Sequence, residues 1–152
     1  MRVLKKGAWV LVADSDKALI LENHGTAKQP QLSVRRKKTQ ENPPDREQSA
    51  DRPGRMKDGP GVQRSAMDDT DWHQLEKTRF AIDVAALLSR EMRHESVDSL
   101  VLVAGARLLG DIREKLDPEA RDKVVAEIPK ILTKHPVNQI ARNVLDSLDE
   151  LN

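Results

Sequence analysis

The stretch "SLVLVAGARLLGDIREKL", Ser99 to Leu116, decides the fold. Leu100 to Ala104 is a short apolar run, rich in valine and leucine. It lacks the alternation of a half-exposed strand, so it reads as a strand buried on both faces. Leu108, Leu109, Ile112 and Leu116 then recur at helical spacing. A buried strand followed at once by an amphipathic helix is the unit of a parallel sheet covered by helices.

Upstream, "AWVLVADSDKALIL" repeats the apolar strand and adds a hairpin. Trp9 to Ala13 is almost continuously apolar, Asp14-Ser15-Asp16 supplies turn chemistry, and Ala18 to Leu21 is the return strand. Gly25 breaks that strand. "QLSVRRK" then alternates weakly, with Leu32 and Val34 on one face, as a third strand at an edge where basic residues discourage unwanted pairing. A long helix is expected from about Trp72 to Arg93, capped by Asp71 with Gln74 three residues on. Its apolar face is Ala81, Val84, Ala85, Leu88 and Met92, widened by Phe80 and Leu87.

Downstream of Leu116, Asp117-Pro118 ends the second helix and can open one further turn. "RDKVVAEIPKIL" stays open. Val124, Ala126 and Ile128 alternate like an edge strand, while a helix from Pro118 to Ile128 fits almost as well locally. A last helix begins near Pro136, with Val137, Ile140, Val144, Leu148 and Leu151 as its stripe. Three strands, a loop, then helix, strand, helix, strand, helix give a mixed five-stranded α/β sheet of ribonuclease H-like type, with the first strand at its centre.

Between Lys38 and Thr70 no period survives. Pro43-Pro44, Pro53-Gly54 and Gly59-Pro60-Gly61 interrupt it and aromatic residues are absent, so the segment buries too little to offset its chain entropy. A flexible loop over 38–70 within a single domain of residues 1–152 is expected. Charge singles out the same region. Residues 28–64 carry ten basic and five acidic groups, whereas residues 65–152 carry twelve and seventeen. A basic segment beside an acidic body suits RNA or another anion. A solvated loop would look the same.

The 152 residues include no cysteine, which excludes a disulfide scaffold, thiolate zinc sites and a thiol nucleophile. No apolar run approaches the roughly 20 residues of a membrane span. Ala8 to Ala13 is shorter than a signal peptide's core of roughly 7–15 residues. A cytoplasmic location is expected, with no cofactor and no metal. A nuclease of this fold would need several carboxylates on its metal ions. Asp14 is one candidate, but the fourth strand ends in Ala104-Gly105-Ala106, and Asp71, Glu76 and Asp83 have no evident strand-borne partner. His73 and Glu76 form one helical pair, a weak ligand signal. Ser15, Ser65 and Ser96 lack a nucleophile elbow, and "GPG" lacks the Gly-Lys-Ser/Thr of a phosphate loop. No catalytic residue is assigned. Arg35, Arg36, Lys37 and Lys38 are candidate phosphate contacts, with edge protection as the plainer reading. Two tryptophans, one phenylalanine and no tyrosine leave no evident base-stacking platform. Trp9 is expected in the core and Trp72 at the end of the loop.

Taken together, "WVLVADSDKALIL", "GVQRSAMDD", "EKTRFAIDVAALL", "DSLVLVAGARLLGDIREKL" and "VVAEIPKILT" resemble the bacterial host attachment proteins over nearly the whole chain. That family in turn resembles the middle domain of archaeal and eukaryotic peptide-chain release factors. There, a Gly-Gly-Gln loop before the long helix enters the ribosomal peptidyl-transferase centre. The resemblance places Gly61-Val62-Gln63, then Arg64 and Ser65, at that loop. Val62 replaces the second glycine. A valine is poor at φ > 0 and at close backbone approach, which argues against peptidyl-tRNA hydrolysis and bears less on binding. The resemblance therefore implies a non-catalytic module for the ribosome or structured RNA, contacted through Arg35, Arg36, Lys37, Lys38, Gly61, Gln63, Arg64 and Ser65. The alternatives are a protein-interaction module that supports attachment indirectly, or a peptidyl-tRNA hydrolase or nuclease with a degenerate site. Protein partners are not identified by the sequence.

Overall fold

In the computed structural model, which describes residues 2–40 and 66–152, the elements follow the expected order. Strands β1 (Trp9–Ala13), β2 (Lys17–Asn23) and β3 (Leu32–Thr39) precede helix α1 (Ala66–Glu95). Then come β4 (Leu100–Val103), α2 (Ala106–Lys115), α3 (Pro118–Arg121), β5 (Val124–Ile128) and α4 (Val137–Leu151). The sheet order is β3-β2-β1-β4-β5, with β1 at the centre. β2 runs antiparallel to β1 and β3, while β4 and β5 run parallel to β1. The stretch that decided the fold is interior: Trp9 lies beside Leu100 and Val12 beside Val103, and all four residues of β4 are buried.

Side chains that alternate along β1, β2 and β4 feed two separate cores. Trp9, Leu11, Ile20, Leu100 and Leu102 pack under α1 and α2, against Phe80, Val84, Leu88, Leu109 and Ile112. Val10, Val12, Leu21, Val101 and Val103 pack on the other face with Ile140, Val144 and Leu148 of α4. Two covered faces explain the unbroken apolar runs in β1 and β4.

The hairpin turn is held by Asp14. Its Oδ1 accepts from the N–H groups of Asp16 and Lys17 at 2.7 and 2.8 Å, and its Oδ2 accepts from the Thr133 hydroxyl. At the end of β2, the buried Asn23 closes the next loop. Its Nδ2 donates to the carbonyls of Leu4 and Lys5, and its Oδ1 accepts from the N–H groups of Gly25 and Gln31. Gly25 is needed there because a Cβ would sit 2.3 Å from the Gln29 carbonyl oxygen.

Several boundaries differ from expectation. The expected loop is shorter at both ends, because Lys38 and Thr39 pair with Ala18 and Lys17 in β3 and residues 66–70 are already helical. Asp71 and Gln74 therefore lie inside α1 and do not cap it. The remainder of that loop, residues 41–65, lies outside the described residues. The open reading near residue 124 resolves as a strand: Val124, Ala126 and Ile128 pair along β4, and Pro129 follows where the strand stops. Leu151, the last residue of α4, is exposed and does not join the buried stripe of Ile140, Val144 and Leu148. Among the described residues, no helix is long and apolar enough to cross a membrane.

Candidate nucleic-acid interface

The four basic residues proposed as phosphate contacts lie on one edge strand, but not as one patch. The β2–β3 register slips between Ile20 and Leu21: Ile20 faces Arg36 and Leu21 faces Val34, leaving Arg35 as an extra residue. Such a bulge bends the strand and re-aims the side chain. Arg35 lies over the indole of Trp9, 4.6 Å from the ring centroid. Its Nη1 is 2.7 Å from Glu22 Oε1, and its Nη2 is 3.4 Å from Glu95 Oε2. Arg36 Nη2 is 2.6 Å from Glu91 Oε2. The hydrogen bond from Arg36, reinforced by the charges of Arg36, Arg35 and Arg90, holds the Glu91 carboxyl below the usual carboxylate range against the opposing effect of burial.

Two guanidinium groups are therefore matched by three carboxylates that tie β3 to β2 and α1. Lys37 and Lys38 lie opposite Leu19 and Ala18, so strand alternation sends them toward opposite faces of the sheet. Gln40 continues the tether. Its N–H donates to the Asp16 carbonyl at 2.8 Å and its Nε2 to the Glu76 carbonyl at 3.4 Å. Gly61, Gln63, Arg64 and Ser65 lie outside the described residues.

Sequence reasoning missed the carboxylate half of this cluster. The signal was present: Glu91 and Glu95 stand one helical turn apart, where like charges repel unless cations reach them. Two adjacent arginines in an alternating strand also hint at a bulge.

A second candidate site sits at the carboxyl ends of β1 and β4, the usual place for ligands in α/β sheets. Here a cleft of about 310 Å³ is lined by Asp14, Lys77, Arg107, Asp111 and Ile131, among others. Gly105 is the N-cap of α2 and no side chain caps that end. Asp14 acts as the turn residue, its carboxylate occupied by two backbone N–H groups and a hydroxyl. Glu76 lies within 3.7 Å of Arg79, and His73 is exposed one turn earlier. Among the described residues, no three His, Asp or Glu side chains converge to hold a metal ion. Trp9 is buried, as expected, whereas Trp72 is exposed on α1.

Comparison with known proteins gives one family. The model of bacterial archaeo-eukaryotic release factor family 12 matches residues 7–144. Among solved structures, an archaeal translation termination factor, aRF1, is similar at 11% identity and a TM-score of 0.49 over 95% of this chain. Dom34 of S. cerevisiae, a translation termination-like factor involved in RNA quality control, is similar at 10% identity and a TM-score of 0.46 over the same share. The chain spans only 39% and 35% of those two proteins. No curated protein matches it.

Proposed function

The chain belongs to bacterial archaeo-eukaryotic release factor family 12, and from that premise we propose that it is a ribosome-associated, RNA-binding module that acts through its basic segment. Family membership over residues 7–144 carries the reading. The excess of basic residues in 28–64 supports it, since phosphate contacts supply most sequence-independent affinity for nucleic acid. The module is read as non-catalytic because Val62 stands in the Gly-x-Gln position and Asp14 serves the turn. It acts in the cytoplasm, and any role in host attachment is indirect.

The ion pairs refine which residues carry binding. Arg35 and Arg36 are already matched by Glu22, Glu91 and Glu95, and releasing them would cost those pairs. Lys37, Lys38 and the basic residues of 41–65, Arg64 included, are the main phosphate contacts. Ribosome binding measured against salt tests this. Lys37→Ala with Lys38→Ala is expected to lower the log–log slope by roughly 0.7–0.9 for each phosphate that is no longer neutralised. Arg35→Ala with Arg36→Ala should change it less. Equal effects from both pairs would contradict the division, and absence of binding at low salt would overturn the proposal. Asp14→Ala should leave binding intact, and metal-dependent RNA cleavage that Asp14→Ala abolishes would revive the nuclease reading.

A further inference from the structure

We infer that the cleft at the carboxyl ends of β1 and β4 binds a nucleotide, with its phosphate on Lys77 and Arg107 and its base against Ile131. That ligand class rests on the RNA-binding reading of the proposed function. Ile131 marks the site. It is 61% exposed, the most exposed large apolar side chain among the described residues. Its backbone is nevertheless held in place. Leu132 and Thr133 beside it are buried, and the Thr133 hydroxyl donates to Asp14 Oδ2 in the turn after β1. A Cβ at Gly105 would lie 3.7 Å from Ile131 Cδ1, so the isoleucine stands at the start of α2. With the half-buried Leu108 it supplies the chief apolar lining of the cleft. Small-ligand sites combine such surface with a few placed polar groups, in volumes of roughly 300–1,000 Å³. This cleft, of about 310 Å³, is at the small end of that range.

The polar groups select the ligand. Lys77 of α1 and Arg107, in the first turn of α2, bring two cations to the cleft from two helices. An ammonium and a guanidinium together suit a phosphate. Two carboxylates also line the cleft. Asp14 is engaged by the N–H groups of Asp16 and Lys17 and by the Thr133 hydroxyl. Asp111, one turn after Arg107, is an acceptor that suits the hydroxyls of a ribose or the amino group of a base. An anion, hydroxyl donors and a flat ring with apolar faces describe a nucleotide.

The cleft also adjoins the basic segment. Gln40 donates its N–H to the Asp16 carbonyl at 2.8 Å and its Nε2 to the Glu76 carbonyl at 3.4 Å. Asp16 follows Asp14 and Ser15, which line the cleft, and Glu76 precedes Lys77. The basic residues of 41–65 thus continue the chain from a point beside the cleft, and RNA that they attract meets Lys77 and Arg107.

Amide chemical-shift mapping of the full chain tests the inference, with inorganic phosphate, adenosine and the four ribonucleoside monophosphates as probes. At least one nucleotide is expected to shift the amides of Gly105 to Leu108 and of Ile131, and to bind more tightly than phosphate or adenosine alone. Arg107→Ala is expected to weaken it at least about tenfold. Ile131→Asp, which removes the apolar contact and repels phosphate, should weaken it at least as much. Both positions are exposed, so melting temperatures should stay close to the parent. No shift with any nucleotide, shifts confined to other residues, or phosphate bound as tightly as every nucleotide would overturn the inference. A hexanucleotide RNA distinguishes the two sources of the ligand. Shifts of the same amides assign the cleft to a nucleotide of RNA, whereas RNA that binds without moving them assigns it to the free nucleotide. Sedimentation with ribosomal particles separates this inference from the proposed function. Sedimentation without nucleotide shifts would sink the cleft alone, and nucleotide shifts without sedimentation would sink the ribosome reading alone.

Discussion

β3 and β4 belong to one sheet and follow opposite physics. β4 is four residues long and buried throughout, held between β1 and β5 and covered by helices on both sides. β3 is twice as long, lies at an edge, is largely exposed and carries four consecutive basic residues. Burial of apolar area fixes β4, at roughly 25 cal/mol per Å². Backbone pairing, one bulge and a few ion pairs fix β3, and exposed pairs contribute little each. The difference teaches where the molecule can change without unfolding. The β4 side is scaffold, and the β3 side can carry charge for a partner.

The sharpest way to break this contrast is a matched pair of substitutions. Val103→Asp in β4 places an unpaired charge in the core and is expected to cost several kcal/mol, up to complete unfolding. Val34→Asp in β3 points to an exposed position and should shift stability by about 0.5 kcal/mol or less. Urea denaturation measures both. Similar destabilisation at the two sites would erase the distinction.

The junction between α1 and β4 offers a smaller test. Ser96 follows the last residue of α1 with φ of 53°, a left-handed conformation that glycine adopts without steric cost. The Val97 N–H reaches back to the Met92 carbonyl at 3.4 Å, so the helix ends in a tight reverse turn. Ser96→Gly should therefore raise stability by about 0.5–1 kcal/mol. A drop in stability would show that the serine side chain matters more than its backbone.

The smallest effect belongs to the edge itself. A double-mutant cycle on Arg36 and Glu91 should give a coupling of about 0.5 kcal/mol that falls with salt. Its pH dependence has a definite sign. Glu91 is held lower in the folded protein than in the unfolded chain, so the stabilisation is complete above the unfolded value. It disappears as pH falls through the folded value. Coupling that grows on acidification would contradict the assignment.

Legibility in the sequence follows the same division. β1, β4 and the core face of α1 were readable because apolar runs and helical spacing report burial directly: Leu102, inside such a run, and Val84, on the helical stripe, are both buried. Local pattern could not choose between strand and helix at Val124 to Ile128, since pairing with β4 decides it. The start of α1 was missed because Asp71 looks like a cap, although Asp68 and Asp69 before it also suit a first turn, where the helix dipole favours aspartate. At the edge, the basic run was visible but its partners were not. Glu22, Glu91 and Glu95 come from two other elements, and the bulge sets Arg35 over Trp9 within reach of Glu22 and Glu95, while Arg36 meets Glu91. Asn23 was equally invisible, because its five backbone partners lie in segments on either side of β2.

The central claim is that this family member works on the ribosome through charge carried beside a rigid scaffold. Sucrose-gradient sedimentation of a cell lysate at low salt, probed for the protein, tests it most directly. The protein should travel with ribosomal particles, and added salt should move it to the top of the gradient. A protein that remains at the top at low salt, with its fold intact by circular dichroism, would contradict the claim and leave protein interaction as the function to pursue.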